Sequence, residues 1–129
     1  MEYLYHLANA SLVLRIITRL QSFQALSPFT LTVIHQINGW VVKVKFDQAL
    51  DTQVKGDLNA YFNELGIPYE PDMRLQMVFW SLDAGQSLVA VMRRYQVAVV
   101  SHGSPDISDI ESFRSQFAKG LGYCPETLA

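Results

Sequence analysis

The stretch FTLTVIHQINGWVVKVKF, Phe29 to Phe46, reads as a β-hairpin, and the fold is built outward from it. Asn38-Gly39 supplies the positive φ angles of a two-residue type I′ turn. That turn sets Ile37 opposite Trp40, His35 opposite Val42, Val33 opposite Val44 and Leu31 opposite Phe46. These residues share one face, apolar apart from His35. The other face carries Thr30, Thr32, Ile34 and Gln36 across from Val41, Lys43 and Lys45. Turn chemistry and side-chain alternation agree on a sheet with one face turned to the core.

Upstream of the hairpin the chain is poor in charge. From Met1 to Val42 the charged side chains are Glu2, Arg15 and Arg19. Leu7, Ala10, Leu14 and Ile17 recur at helical spacing, as do Leu12, Ile16, Leu20 and Phe23, so residues 2–26 read as one helix. Its polar strip is narrow: Ser11, Arg15, Thr18 and Ser22, with Arg19 beside it. A helix apolar around most of its circumference is a buried one. Its own domain covers one side, and a symmetric second copy is the natural cover for the other. Leu7, Leu14, Ile17 and Phe23 are the residues expected at that interface. Ser27-Pro28 ends the helix, because the residue before proline avoids the α region.

Downstream, Asp51 or Thr52 caps a helix running to Leu65, with Val54, Leu58, Tyr61, Phe62 and Leu65 inward and Gly66 suited to a left-handed C′ position. Ile67 to Asp72, with Pro68 and Pro71, reads as an extended connector. Arg74 to Leu82 reads as a strand, since Met77, Val78, Phe79 and Trp80 put apolar side chains on both faces, as in a central strand. Between Asp83 and Tyr95 two readings compete. Asp83 with Gln86 resembles a capping box, and Leu88, Val91, Met92 and Tyr95 repeat at helical spacing. Alternatively Asp83-Ala84-Gly85 is a hairpin turn leading into a strand over Leu88 to Met92. The helix is the favoured reading, since it also puts Arg93 and Arg94 at the negative end of the helix dipole. Gln96 to Ser101 reads as a strand. Ser108 with Glu111 opens a last helix on Ile110, Phe113 and Phe117, ending at Gly120 or Gly122. Residues 123–129 read as a loose tail. The expectation is a single α+β domain over residues 1–122, with a four-stranded, largely antiparallel sheet.

The totals narrow the function classes. Lys and Arg number 10 and Asp and Glu 12, making 22 charged residues among 129. An average globular domain of this length carries about 32. The deficit points to surface that does not stay wet. The net charge is −2, and Arg93-Arg94 is the one adjacent basic pair. Nucleic acid is disfavoured as a partner, since phosphate binding calls for a concentrated basic stripe. A third reading, a nucleic-acid binder, needs Arg15, Arg19, Arg93 and Arg94 to converge on one face. Cys124 stands alone, so no internal disulfide is available and an oxidising compartment is not indicated. The run Tyr3 to Leu14 is too short to span a bilayer. A cytoplasmic location is the expectation.

Little chemistry is encoded in motifs. His6, His35 and His102 lack ligand spacing, so no metal is expected. No nucleophile elbow, dinucleotide fingerprint or phosphate loop is present, and no cofactor is expected. His35, on the apolar hairpin face, reads as a core histidine. Trp40 and Trp80 read as core, although a single exposed tryptophan would suit an interface. The leading expectation is a non-catalytic interaction module, a homodimeric adaptor or assembly factor (a chaperone) binding another protein. The competing one is a small-ligand or anion-binding protein, or an enzyme, whose site lies in the loop 101–108 ahead of a helix start. Ser101, His102, Ser104 and Ser108 would line that site.

Overall fold

Alternation governs the first residues, and this changes the start of the chain. Tyr3, Tyr5 and Leu7 turn to one side and Leu4 and His6 to the other, so Glu2–Leu7 forms a strand, β1, and not the first turns of a long helix. Asn9 marks the switch: its side-chain oxygen accepts from the Leu12 amide at 3.1 Å. Such a residue favours a cap over a helix interior. Helix α1 then covers Ala10–Ser22. The computed structural model describes residues 2–22, 29–103, 107–122 and 125–129, so the expected helix end at Ser27-Pro28 lies outside the described residues.

The hairpin is present as β2 (Phe29–Gln36) and β3 (Gly39–Phe46), with both faces as expected but the register moved by two residues. Val33 pairs with Val42 and His35 with Trp40, leaving Ile37 and Asn38 at the tip and Ile37 98% exposed. A shift of two preserves every side chain's face, which is why the face pattern was right and the turn wrong. Neither tip residue has positive φ, so the turn is not type I′. Gly39 is needed for another reason. A Cβ there would stand 2.5 Å from the Leu7 carbonyl oxygen and 2.7 Å from the His6 ring. Gly66 does the same from the other flank, where a Cβ would lie 2.6 Å from the His6 carbonyl oxygen. Its φ of −153° is extended, not the left-handed C′ conformation expected. Two glycines thus let neighbouring backbone close on the end of β1.

Helix α2 (Thr52–Leu65) lies where expected, and β4 (Ile67–Pro68) pairs with β1 in what read as a bare connector. The largest correction is at Arg74 to Leu82, which is not a strand. Asp72 accepts from the Leu75 amide at 2.8 Å and opens α3, Met73–Asp83. Leu75, Val78, Phe79 and Leu82 face inward at helical spacing. Helix α4 (Leu88–Tyr95) follows, capped by Ser87 instead of Asp83, then β5 (Ala98–Gly103) and α5 (Ile107–Leu121).

Among the described residues the five strands make one antiparallel sheet in the order β4-β1-β3-β2-β5, one strand more than the expected four. From β1 to β4 this is the split βαββαβ arrangement, which α3, α4, β5 and α5 extend. Both sheet faces are covered. Tyr3, Tyr5, Leu7, Leu31, Val33, Trp40, Val42, Val44 and Phe46 meet α1, α2 and α5 on one side. Ile34, Val41 and Val99 meet α3 and α4 on the other. Lys43 is buried beneath α3, with its ammonium 4.9 Å from the Phe79 ring centre and 3.2 Å from Asp83.

The end of the chain is no loose tail where it is described. Glu126–Leu128 forms a 3-10 turn and Leu128 is fully buried in the α1 side of the core. The Trp40 indole donates to the Thr127 carbonyl at 2.6 Å, and the Arg114 guanidinium donates to the Leu128 carbonyl at 2.7 Å.

Candidate functional site

The residues expected at a self-association surface fall in different places. Leu7 and Ile17 are fully buried in the chain's own core, Leu14 is half-buried, and Phe23 lies outside the described residues. Helix α1 turns Ala10, Val13, Ile16, Ile17 and Leu20 inward and is sheathed by the sheet, α5 and the C-terminal turn. Outward it presents Ser11, Arg15, Thr18, Arg19 and Ser22, all exposed. Among the described residues the opening segment is therefore dry because it is core, and α1 turns a largely polar face outward.

The apolar surface lies instead on α3. Met73, Met77 and Trp80 follow one another at spacings of four and three residues, opposite the inward stripe, with Met73 76% and Trp80 64% exposed. They form a row about 10 Å long at 1.5 Å per residue. Their contact with water is the cost of a face that a lone domain would fill with polar groups. The sequence reading missed this row because it took the segment for a strand. Asp72 as a cap, with Leu75, Val78, Phe79 and Leu82 at helical spacing, was the signal that could have found it.

The loop 101–108 does not gather its expected residues around one point. Ser101 pairs with Val33 on the α5 side of the sheet, and its hydroxyl donates to the Asp109 carboxylate at 3.2 Å. His102 pairs with Thr32 on the α3 side, where Nδ1 stands 2.8 Å from the Thr32 hydroxyl oxygen. Ser104 lies outside the described residues, and Ser108 sits in the first turn of α5. The buried Ser101 hydroxyl already serves a carboxylate, which is an unfavourable neighbour for a second anion.

His35 is a core histidine. Its ring sits 4.8 Å from that of Trp40 and 5.2 Å from those of Phe113 and Phe117, and Nε2 is 3.5 Å from the Thr127 hydroxyl. Burial among these rings pushes its pKa below the ordinary 6.5. Burial likewise raises the Tyr3 and Tyr5 phenols; the Tyr5 hydroxyl donates to the Asn63 side-chain oxygen at 2.9 Å. Trp40 is core as expected and Trp80 is not.

The arginines do not converge. Arg15 and Arg19 stand on α1 and Arg93 and Arg94 on α4, on opposite sides of the sheet. Among the described residues no three His, Cys, Asp or Glu side chains stand close enough to hold a metal ion, and no helix is long and apolar enough to cross a membrane. Comparison with known proteins finds no family model, no curated protein and no solved structure that matches this chain.

Proposed function

We propose that this chain is a non-catalytic protein-interaction module, a cytoplasmic homodimeric adaptor or assembly factor, that self-associates through the outer face of α3. One observation carries the reading: Met73, Met77 and Trp80 stand in a single exposed row on a helix whose other side is fully engaged with the sheet. Methionine and tryptophan are the residue types that interfaces concentrate.

The row is self-complementary. Met77 lies near its midpoint, so a two-fold axis there runs two α3 helices antiparallel and sets Met73 against the partner's Trp80. A thioether at the edge of an indole is a favourable contact. An isologous interface of this kind closes at two copies. Three side chains fall well short of the roughly 800 Å² a side of a stable complex, so the dimer is weak and concentration-dependent.

Light scattering across a concentration series tests this. The mass should rise from that of one chain toward two, and Met73→Glu with Trp80→Glu should hold it at one while the circular dichroism spectrum stays unchanged. Leu14→Glu on α1 should leave the association intact. A native chain that remains single at millimolar concentration, or a double variant that associates as well as the native chain, overturns the proposal.

A further inference from the structure

The end of the sheet where β2 turns into β3 and β5 begins carries a second feature, separate from the exposed row of α3. A cavity of about 570 Å³ lies there, lined by Gln36, Ile37 and Asn38 from the hairpin, Arg74 from α3, and Gln96 and Val97 ahead of β5. That volume falls in the range of small-molecule sites, roughly 300–1,000 Å³. Three local choices around it run against the preferences of the chain. Arg74 is the second residue of α3, at the positive end of the helix dipole, where a cation is unfavourable. Gln96 closes α4 with φ 51° and ψ 57°, the one non-glycine residue with positive φ among the described residues. Glycine takes that left-handed position without steric cost, and glutamine does not. Ile37, at the hairpin tip, is 98% exposed. Departures of this kind collect at functional sites, and here all three residues line one cavity.

Charge and hydrogen bonding define what the cavity takes. Arg74 is the one charged side chain in its wall, since burial keeps His35, the other titratable group there, neutral at pH 7. Among the described residues the Arg74 guanidinium makes no ion pair and no hydrogen bond. Asp72, the nearest acid in the sequence, is turned to the Leu75 amide. The side-chain amides of Gln36, Asn38 and Gln96 are likewise without a partner among the described residues. Each offers N–H donors beside a carbonyl acceptor, the complement of a peptide-like group. Ile37 and Val97 supply apolar surface next to them.

We propose that this cavity binds an amido carboxylate, a carboxylate one carbon away from an amide. Arg74 holds the carboxylate, the Gln36, Asn38 and Gln96 side chains serve the ligand's amide, and Ile37 and Val97 meet its aliphatic part. A guanidinium fork matches the two oxygens of a carboxylate in a paired, charge-assisted contact. One cation also balances one carboxylate, whereas a phosphate dianion would keep a charge uncompensated. The same chemistry is carried by a free N-acyl amino acid and by the carboxy-terminus of a peptide.

The test is an amide and arginine Nε NMR titration at constant ionic strength. The probes are N-acetylalanine, its amide, an acetylated alanine tetrapeptide with a free carboxy-terminus, and inorganic phosphate. Saturable shifts are expected from both free acids at residues 36–38, 74 and 96–98, and none from the amide. Arg74→Gln should weaken binding at least about tenfold, the scale of losing charged hydrogen bonds. Arg74 is exposed, so this variant should keep the native spectrum elsewhere. Gln96→Gly separates the site from the scaffold: it relieves the positive φ and should not lower the urea midpoint, yet it should weaken binding. Tighter binding of the tetrapeptide assigns the site to peptide ends; equal binding of the two acids assigns it to the free N-acyl amino acid. Shifts that fail to saturate, an amide that binds as well as the acid, phosphate that binds more tightly than either acid, or either variant binding as well as the native chain overturns the proposal.

Discussion

Helices α1 and α3 cover opposite faces of the same sheet, and their surfaces are reversed relative to what their sequences suggest. The opening segment is almost free of charge, yet α1 shows solvent two arginines and three hydroxyl groups. The segment around Met77 to Trp80 reads as deeply buried, yet α3 shows solvent two thioethers and an indole. Low charge density ends in burial within the chain only where neighbouring structure is present to do the burying. Around α1 the sheet, α5 and the C-terminal turn supply it; outside α3 the described chain supplies nothing.

The contrast breaks most sharply under paired charge substitutions. Ile17→Glu forces a carboxylate into the fully buried side of α1 and should cost about 4 kcal/mol or more, a large share of the roughly 5–15 kcal/mol that holds a typical domain folded. Trp80→Glu, on α3, should change stability by no more than about 0.5 kcal/mol. Urea unfolding of the two variants measures the difference. Equal costs would mean that Trp80 is core and that the two helices are alike.

A second test concerns what covers α1. Leu128 is fully buried against the same core cluster, and its backbone carbonyl receives Arg114. Leu128→Ala should cost about 2–5 kcal/mol, the range for emptying a buried leucine site. A cost near zero would show that the C-terminal turn does not close that face, and the comparison with α3 would weaken.

The smallest effect is a pH dependence confined to the α1 side. Burial lowers the His35 pKa, so the unfolded chain takes up the proton more readily than the folded one. The stability this contributes is complete above the unfolded value of about 6.5 and is lost as pH falls through it toward the lower folded value. Among the described residues the ring is in contact with Trp40, Phe113, Phe117 and the Thr127 hydroxyl, none of them charged at these pH values, and Arg74 lines the same surface pocket as His35. Between pH 7 and pH 5 the urea midpoint of the native chain should fall further than that of His35→Phe. Parallel curves would place the acid sensitivity elsewhere.

Much of the architecture was legible, and the failures share a cause. The hairpin faces, α2 and α5 follow from periodicities that have one reading, and α4 from the favoured one of two. Residues 2–22 have two: Leu7, Ala10, Leu14 and Ile17 keep helical spacing straight across Asn9, while Tyr3, Tyr5 and Leu7 alternate. Deciding between them requires knowing that β3 and β4 stand on either side of β1, which is information held in residues 39–46 and 67–68. Residues 77–80 have two readings as well, because four apolar residues in a row fit either a central strand or a helix with an uncovered side. The Asn38-Gly39 pair was over-read, since the glycine answers to the packing of β1 and not to the turn. Of the expected site residues that are described, Leu7 and Ile17 belong to the core, Leu14 is half-buried, and Ser101 and His102 part to opposite faces of the sheet. The α3 row stayed hidden because a strand assignment turns an exposed stripe into an inner one.

The position of β1 has a consequence for biosynthesis. Of the described elements this strand is translated first, yet the edges it needs belong to Trp40–Lys45 on one side and Ile67–Pro68 on the other. Until those are translated it has no neighbour to zip against, and its tyrosines and leucines travel uncovered. Both edges of β1 are closed only once residue 68 has been made, so the first of the described strands to be synthesised is locked in late.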